Sequence, residues 1–163
     1  MTHAALRYEF PIDALMQRYK YGTSLQFAHL FSDLFLGKSA LDAVDLLIPM
    51  PLHPQRLQER GFNQSLEIAK IIAKQRQIPL DYQSVVRTKL TPPQASLPLK
   101  ERAKNIKGVF AVNANLTGKR IAIVDDVMTS GASLNELAKT LKKAGASHVK
   151  CWVVAKTLHH KKS

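Results

Sequence analysis

Ile121-Ala122-Ile123-Val124-Asp125-Asp126-Val127-Met128-Thr129-Ser130-Gly131-Ala132-Ser133 is a short apolar run, a pair of acids, an apolar step and a bend of hydroxyl and small residues. The apolar run Ile121–Val124 predicts a buried strand. Residues Ala132–Ala144 predict a helix, with Ser or Thr at its start and Gly145 as its stop. The bend between them is built for an anion. Thr129, Ser130, Gly131, Ala132 and Ser133 are small, so backbone N–H groups can approach a phosphate closely, and Gly131 removes an obstructing Cβ. The following helix adds free N–H groups and the positive end of its dipole. Asp125 and Asp126 can accept hydrogen bonds from vicinal sugar hydroxyls, and one can help hold Mg²⁺ directly or through water. Acids at the end of a buried strand are costly unless something positive or hydroxyl-bearing meets them. A turn or capping role for Asp125 is the alternative. The glycine spacing fits neither a dinucleotide-binding nor a P-loop pattern.

Outward from this stretch, strands and helices alternate. Val44–Met50 reads as a buried strand closed by Pro49 and Pro51, Phe62–Gln77 as an amphipathic helix ended by Pro79, Val85–Arg87 and Val109–Val112 as short strands, and Val149–Ala155 as the last strand. Thr91-Pro92-Pro93 opens a polar, basic loop that lasts to about Lys107. Residues 1–40 read as an N-terminal helical segment packed on the core: Leu15, Tyr19, Phe27, Leu30, Phe31 and Leu34 recur at roughly helical spacing, with Gly22 as a break and Gly37 as a stop. Residues 41–163 then carry the main domain, within one globular unit. The expected class is α/β, a three-layer, mostly parallel sheet flanked by helices. Ligands of such sheets sit at the carboxyl ends of strands, which points to the loops after Met50 and after Val124.

Composition sets outer bounds. A chain of 163 residues, 45% apolar, suits one domain with one core. Cys151 is the only cysteine, so neither an internal disulfide nor a cysteine-built zinc site can form, and Cys151 itself reads as a buried thiol. No run is long enough to insert into a membrane, and the expectation is a cytoplasmic protein. The net charge of +12, gathered in Lys100–Lys107, Lys139–Lys143 and His159–Lys162, suits polyanions; a solvated basic face is the alternative.

The thirteen residues quoted first resemble the ribose-phosphate signature of type I phosphoribosyltransferases. Ile48-Pro49-Met50-Pro51-Leu52-His53 and Arg60-Gly61-Phe62-Asn63-Gln64 narrow the resemblance to the ComF family of competence and DNA-uptake proteins. Tyr19-Lys20-Tyr21-Gly22, Arg87-Thr88 with Gln94, Arg102 with Asn105, and Gly108-Val109-Phe110 fit it too. Ser130 and Ser133 stand where the signature often has threonine, with the hydroxyl kept. The four-cysteine zinc module common in ComF-like proteins has no counterpart here, so no zinc is expected in this chain.

The resemblance implies a type I phosphoribosyltransferase-like fold binding 5-phosphoribosyl-1-pyrophosphate or a related ribose phosphate with Mg²⁺. Asp125 and Asp126 would be the catalytic and metal-holding pair, and Thr129–Ser133 the phosphate cradle. Arg56 and Arg60, from the loop after the first strand, would meet pyrophosphate. Arg87, Lys89 and Arg102, with Lys104, would reach it from a flexible hood; a disordered basic loop is the alternative. His53 reads as structural rather than acid–base, Phe62 as core, and Asn63 equally as an early-turn residue or a ligand contact. Phosphoribosyl transfer, in DNA uptake or nucleotide salvage, is one implied activity. A non-enzymatic role is the other: a ribose-phosphate sensor, or a single-stranded-DNA accessory beside a competence helicase and recombination proteins. Few aromatics (7%) argue against stacking platforms for a single strand.

Overall fold

The computed structural model describes residues 1–21, 26–38, 41–92 and 96–157. Gly22, Gln94, Pro93 and the basic tail with His159 and His160, all singled out above, lie outside the described residues. Four strands form one parallel sheet in the order β1-β6-β5-β2: β1 is Thr2–Arg7, β2 Leu46–Pro49, β5 Arg120–Met128 and β6 His148–Lys156. Ile48 and Cys151 flank Ile123, and Trp152 lies beside Val124. The two-residue period of the strands sorts their side chains. Ala122, Val124, Trp152 and Val154 face one layer; Ile121, Ile123, Cys151 and Val153 face the other.

On the first face lie α1 (Ile12–Tyr21), α2 (Gln26–Lys38) and α4 (Gln64–Arg76), which bury Met16, Tyr19, Phe31, Phe35, Ile68 and Ile72. On the second lie α6 (Ala132–Lys143) and a two-stranded antiparallel ribbon of β3 (Val85–Arg87) and β4 (Phe110–Val112). Leu134, Leu137 and Leu141 of α6 close that core. Helices on both faces of a parallel sheet give the three layers expected. Cys151 is a buried core thiol, and burial raises its pKa. Among the described residues no helix is long and apolar enough to cross a membrane.

Four expectations need correction. The N-terminal segment is not wholly helical: Thr2–Arg7 is a strand that adds to the sheet edge along β6, so the first forty residues supply part of the sheet itself. Leu30 is 41% exposed; the buried stripe of α2 runs through Ala28, Phe31 and Phe35, and Gly37 lies within the helix. The central strand does not stop at Val124. It continues through both acids to Met128, because β6 stays paired with it as far as Lys156. Finally, two stretches read as loops contain short helices, α3 (Pro54–Arg60) and α5 (Leu99–Asn105). Both follow a proline-marked start, which ends the preceding segment and leaves the next free to coil.

Candidate functional site

The carboxyl end of β2 and the Val124 step of β5, just before the acids, are locked together, since Met50 N–H donates to Val124 O at 2.9 Å. Above them opens a cavity of about 340 Å³, walled by the acid pair, the bend after Met128, α3 and its approach, the Arg87–Pro92 segment and part of the N-terminal region.

The acids are held from three sides. Asp125 Oδ1 accepts from Ser65 Oγ at 2.9 Å and from Asp126 N–H at 2.9 Å. Asp126 Oδ1 accepts from Val127 N–H at 2.8 Å, and its Oδ2 lies 3.6 Å from the Lys20 ammonium. Burial pushes the Asp125 carboxyl from 3.8 up to about 8, with the negative charge of Asp126 adding to it. Such a pair accepts hydroxyl hydrogen bonds or a cation readily, because either relieves the crowding of charge.

All five residues Thr129 to Ser133 line the cavity. Gly131 caps α6 at φ 75°, a left-handed conformation that a side chain at this position would strain, and no side chain caps the helix there. Ser130 Oγ accepts a long 3.4 Å hydrogen bond from Ala132 N–H. The first-turn amides that follow have no carbonyl four residues back in the helix to bond, so they are available to an anion. The bend is braced from below: Thr157 donates its N–H to Met128 O at 3.0 Å and its hydroxyl to Thr129 O at 3.3 Å.

Arginines face this cradle. Arg56 and Arg60 lie on α3 and line the cavity, as does Arg87. Arg56 pairs with Glu59 at 2.8 Å, while Arg60 donates to the neutral Gln64 Oε1 at 3.2 Å. Arg87 lies over the Phe110 ring at 6.0 Å and donates to Thr91 Oγ1, but its Nε is buried with no partner. Burial first, and the positive charge of Arg56 second, lower its pKa. Among the described residues no carboxylate lies within ion-pair distance of Arg60 or Arg87. Unpaired guanidiniums sharing one cavity favour an incoming anion.

Other expected residues fall elsewhere. Lys89 and Lys104 are exposed and do not line the cavity. Arg102 does not line it either; its Nε donates to Leu97 O at 3.0 Å and its Nη1 to Thr129 Oγ1 at 3.4 Å, so it touches the cradle from α5. His53 lines the cavity but caps α3, its Nδ1 accepting from Gln55 N–H at 3.3 Å. Asn63 turns out to be a cap: Oδ1 accepts from Ser65 and Leu66 N–H at 3.0 and 3.3 Å, and Nδ2 donates to Met50 O at 3.0 Å. Phe62 packs on Tyr19, ring centroids 5.6 Å apart. Reasoning along the chain misses Ser65, Lys20 and Thr157, whose partners lie far away in sequence and carry no local signal.

Residues 63–163 match the phosphoribosyl transferase domain. DNA utilization protein YhgH of Escherichia coli (strain K12) is 30% identical over 158 residues, covering 93% of this chain and 70% of that one. Competence protein F of Haemophilus influenzae is 31% identical over 156 residues, covering 90% and 68%. Among solved structures, the allosteric regulatory enzyme of purine biosynthesis superposes with a TM-score of 0.53 at 17% identity over 84% of this chain, which shows a common fold. The chain spans only 29% of that enzyme's length. With the sheet order, the three layers and the acid-and-cradle loop in agreement, the chain belongs to the phosphoribosyl transferase domain family, in the ComF group with YhgH and Competence protein F.

Proposed function

We propose that this cavity binds 5-phosphoribosyl-1-pyrophosphate and that the protein works in competence or DNA utilization, as the names of its relatives suggest. The observation that carries the reading is the convergence of three unlike groups on one space: an acid pair, a helix start with no side-chain cap and two arginines, Arg60 and Arg87, without acidic partners. In this reading the 5-phosphate lies on the Thr129–Ser133 amides and hydroxyls, where the dipole of α6 favours negative charge. Asp125 and Asp126 accept from the ribose hydroxyls, and Lys20 yields its place on Asp126 or shares it. Arg60 and Arg87, with Arg56, take the pyrophosphate.

Among the described residues no cluster of three acidic, histidine or cysteine groups offers a closed metal cage. Two carboxyls open to a cavity do fit Mg²⁺, which keeps several waters and leans on substrate phosphates. Bound there, Mg²⁺ would neutralise charge on the departing pyrophosphate. The chain's own contribution is to fix the sugar between acids and cradle, draw off the leaving group with guanidiniums and limit access of water. Transfer of the phosphoribosyl group to an acceptor base is the activity such a site serves.

The test is calorimetry of phosphoribosyl pyrophosphate with MgCl₂ against the wild type and the variant carrying Asp125→Asn and Asp126→Asn. We expect binding in the first and none in the second, with an unchanged circular dichroism spectrum. Equal affinity in the two proteins rules the site out. Incubation of labelled ligand with a panel of bases then separates a transferase from a sensor.

A further inference from the structure

Gln64 is 2% exposed, and both polar atoms of its carboxamide are used. Oε1 accepts from Arg60 Nη1 at 3.2 Å, and Nε2 donates to Lys20 O at 3.4 Å. Its backbone carbonyl accepts from the buried Tyr19 hydroxyl at 2.9 Å. A buried amide satisfied at both ends has one preferred orientation. The residues that it joins matter: Lys20 reaches Asp126, and Arg60 lines the cavity. Arg60 is the last residue of α3, and the chain then reverses through Gly61 at φ 79°, so the helix alone does not aim its long side chain.

The chemistry of the acceptor is informative. Arg56, one turn earlier, is held by the carboxylate of Glu59, which cancels much of its charge. Arg60 is held by an amide, which orients a guanidinium and leaves its charge whole for an anion. We infer that Gln64 is the positioning residue for Arg60: its buried carboxamide fixes the guanidinium in the cavity without neutralising it and ties that end of the site to the Lys20 end of α1. The inference deepens the proposed function and rests on its assignment of Arg60 to pyrophosphate.

The experiment compares phosphoribosyl pyrophosphate with ribose 5-phosphate, both with MgCl₂, by calorimetry. Gln64→Met removes the acceptor at similar length. Gln64→Glu keeps a grip on Arg60 but neutralises it. Both leave the Tyr19 bond, which goes to the backbone, so each gives a folded protein to measure if the other melts. We expect either change to weaken the pyrophosphate compound by about tenfold relative to ribose 5-phosphate, the scale of one hydrogen bond to a charged group. We also expect Arg60→Met combined with Gln64→Met to be no worse than Arg60→Met alone. A role confined to stability would lower both affinities together or neither, and independent roles would multiply the losses; each of these results overturns the inference. Wild-type protein that binds neither compound overturns the proposed function and this inference with it. Wild-type binding with unaltered Gln64 variants overturns the inference alone.

Discussion

Asp125 is a carboxyl that folding makes harder to ionise. Its pKa rises from 3.8 to about 8 through burial and the neighbouring charge of Asp126. Between those values the folded chain holds a proton that the unfolded chain has released. Stability therefore falls as pH rises through that window, since the unfolded state binds fewer protons there. Asp125→Asn cannot ionise, and its side-chain oxygen still accepts from Ser65 and from Asp126 N–H. The variant should be the more stable protein at pH 8, with the gap closing as pH falls toward 4. Urea midpoints across the range measure it; a gap independent of pH contradicts the shift. Such a gain is the usual sign of a group kept for function at a cost in stability. The apolar run before Asp125 and the hydroxyl bend after it are local patterns, so the acid pair and its cradle are legible along the chain. Ser65 and Lys20, which hold those acids, stand on other helices, and no spacing rule reaches them.

At the scale of elements, α4 is the girder of the site. Its first turn carries Ser65 to Asp125 and Gln64 to Arg60. Asn63 sets that turn by capping it and by donating to Met50 O at the end of β2. Asn63→Ala loses the cap and frees a carbonyl. We expect a loss of about 1–2 kcal/mol, read from thermal or urea unfolding, with weaker phosphoribosyl pyrophosphate binding as the girder frays. A change in stability within the scatter of replicate melts would mean that the cap is redundant. Along the chain, Asn63 reads equally as a helix-start residue or a ligand contact; only its place beside Met50 decides. The strand β1 has a similar lesson. Thr2-His3-Ala4-Ala5-Leu6-Arg7 lacks a β-branched run, and its pairing with β6, whose residues lie some 150 positions away, makes it a strand.

At the scale of the molecule, the +12 charge is a field as well as a set of contacts. A field of this sign attracts polyanions in general. We expect single-stranded DNA to bind through that field, with affinity falling steeply as salt rises, and to tolerate Asp125→Asn, which leaves the basic surface untouched. Fluorescence anisotropy of a labelled oligonucleotide at several salt concentrations checks this. A salt-insensitive affinity, or its loss in the variant, would place the strand in the cavity instead. The basic stretch after Pro92 includes α5, whose Arg102 reaches Thr129. α5 therefore meets the Thr129 bend through a single polar contact at 3.4 Å.

The sequence by itself determined the layers and the glycine- and hydroxyl-rich bend, because apolar period, glycine and hydroxyl placement act within a few residues of one another. It also determined the family through motifs kept in order. Tertiary structure decided which basic residues share a cavity with the acids. Arg56, Arg60 and Arg87 line the cavity while Lys89 does not, because α3 follows directly on the end of β2 and Arg87 closes β3 beside the cavity, whereas Lys89 is exposed. It also decided that Lys20, Ser65 and Gln64 belong to the site, for their partners are brought near only when the sheet places the end of β2 beside Val124, the residue before the acids of β5.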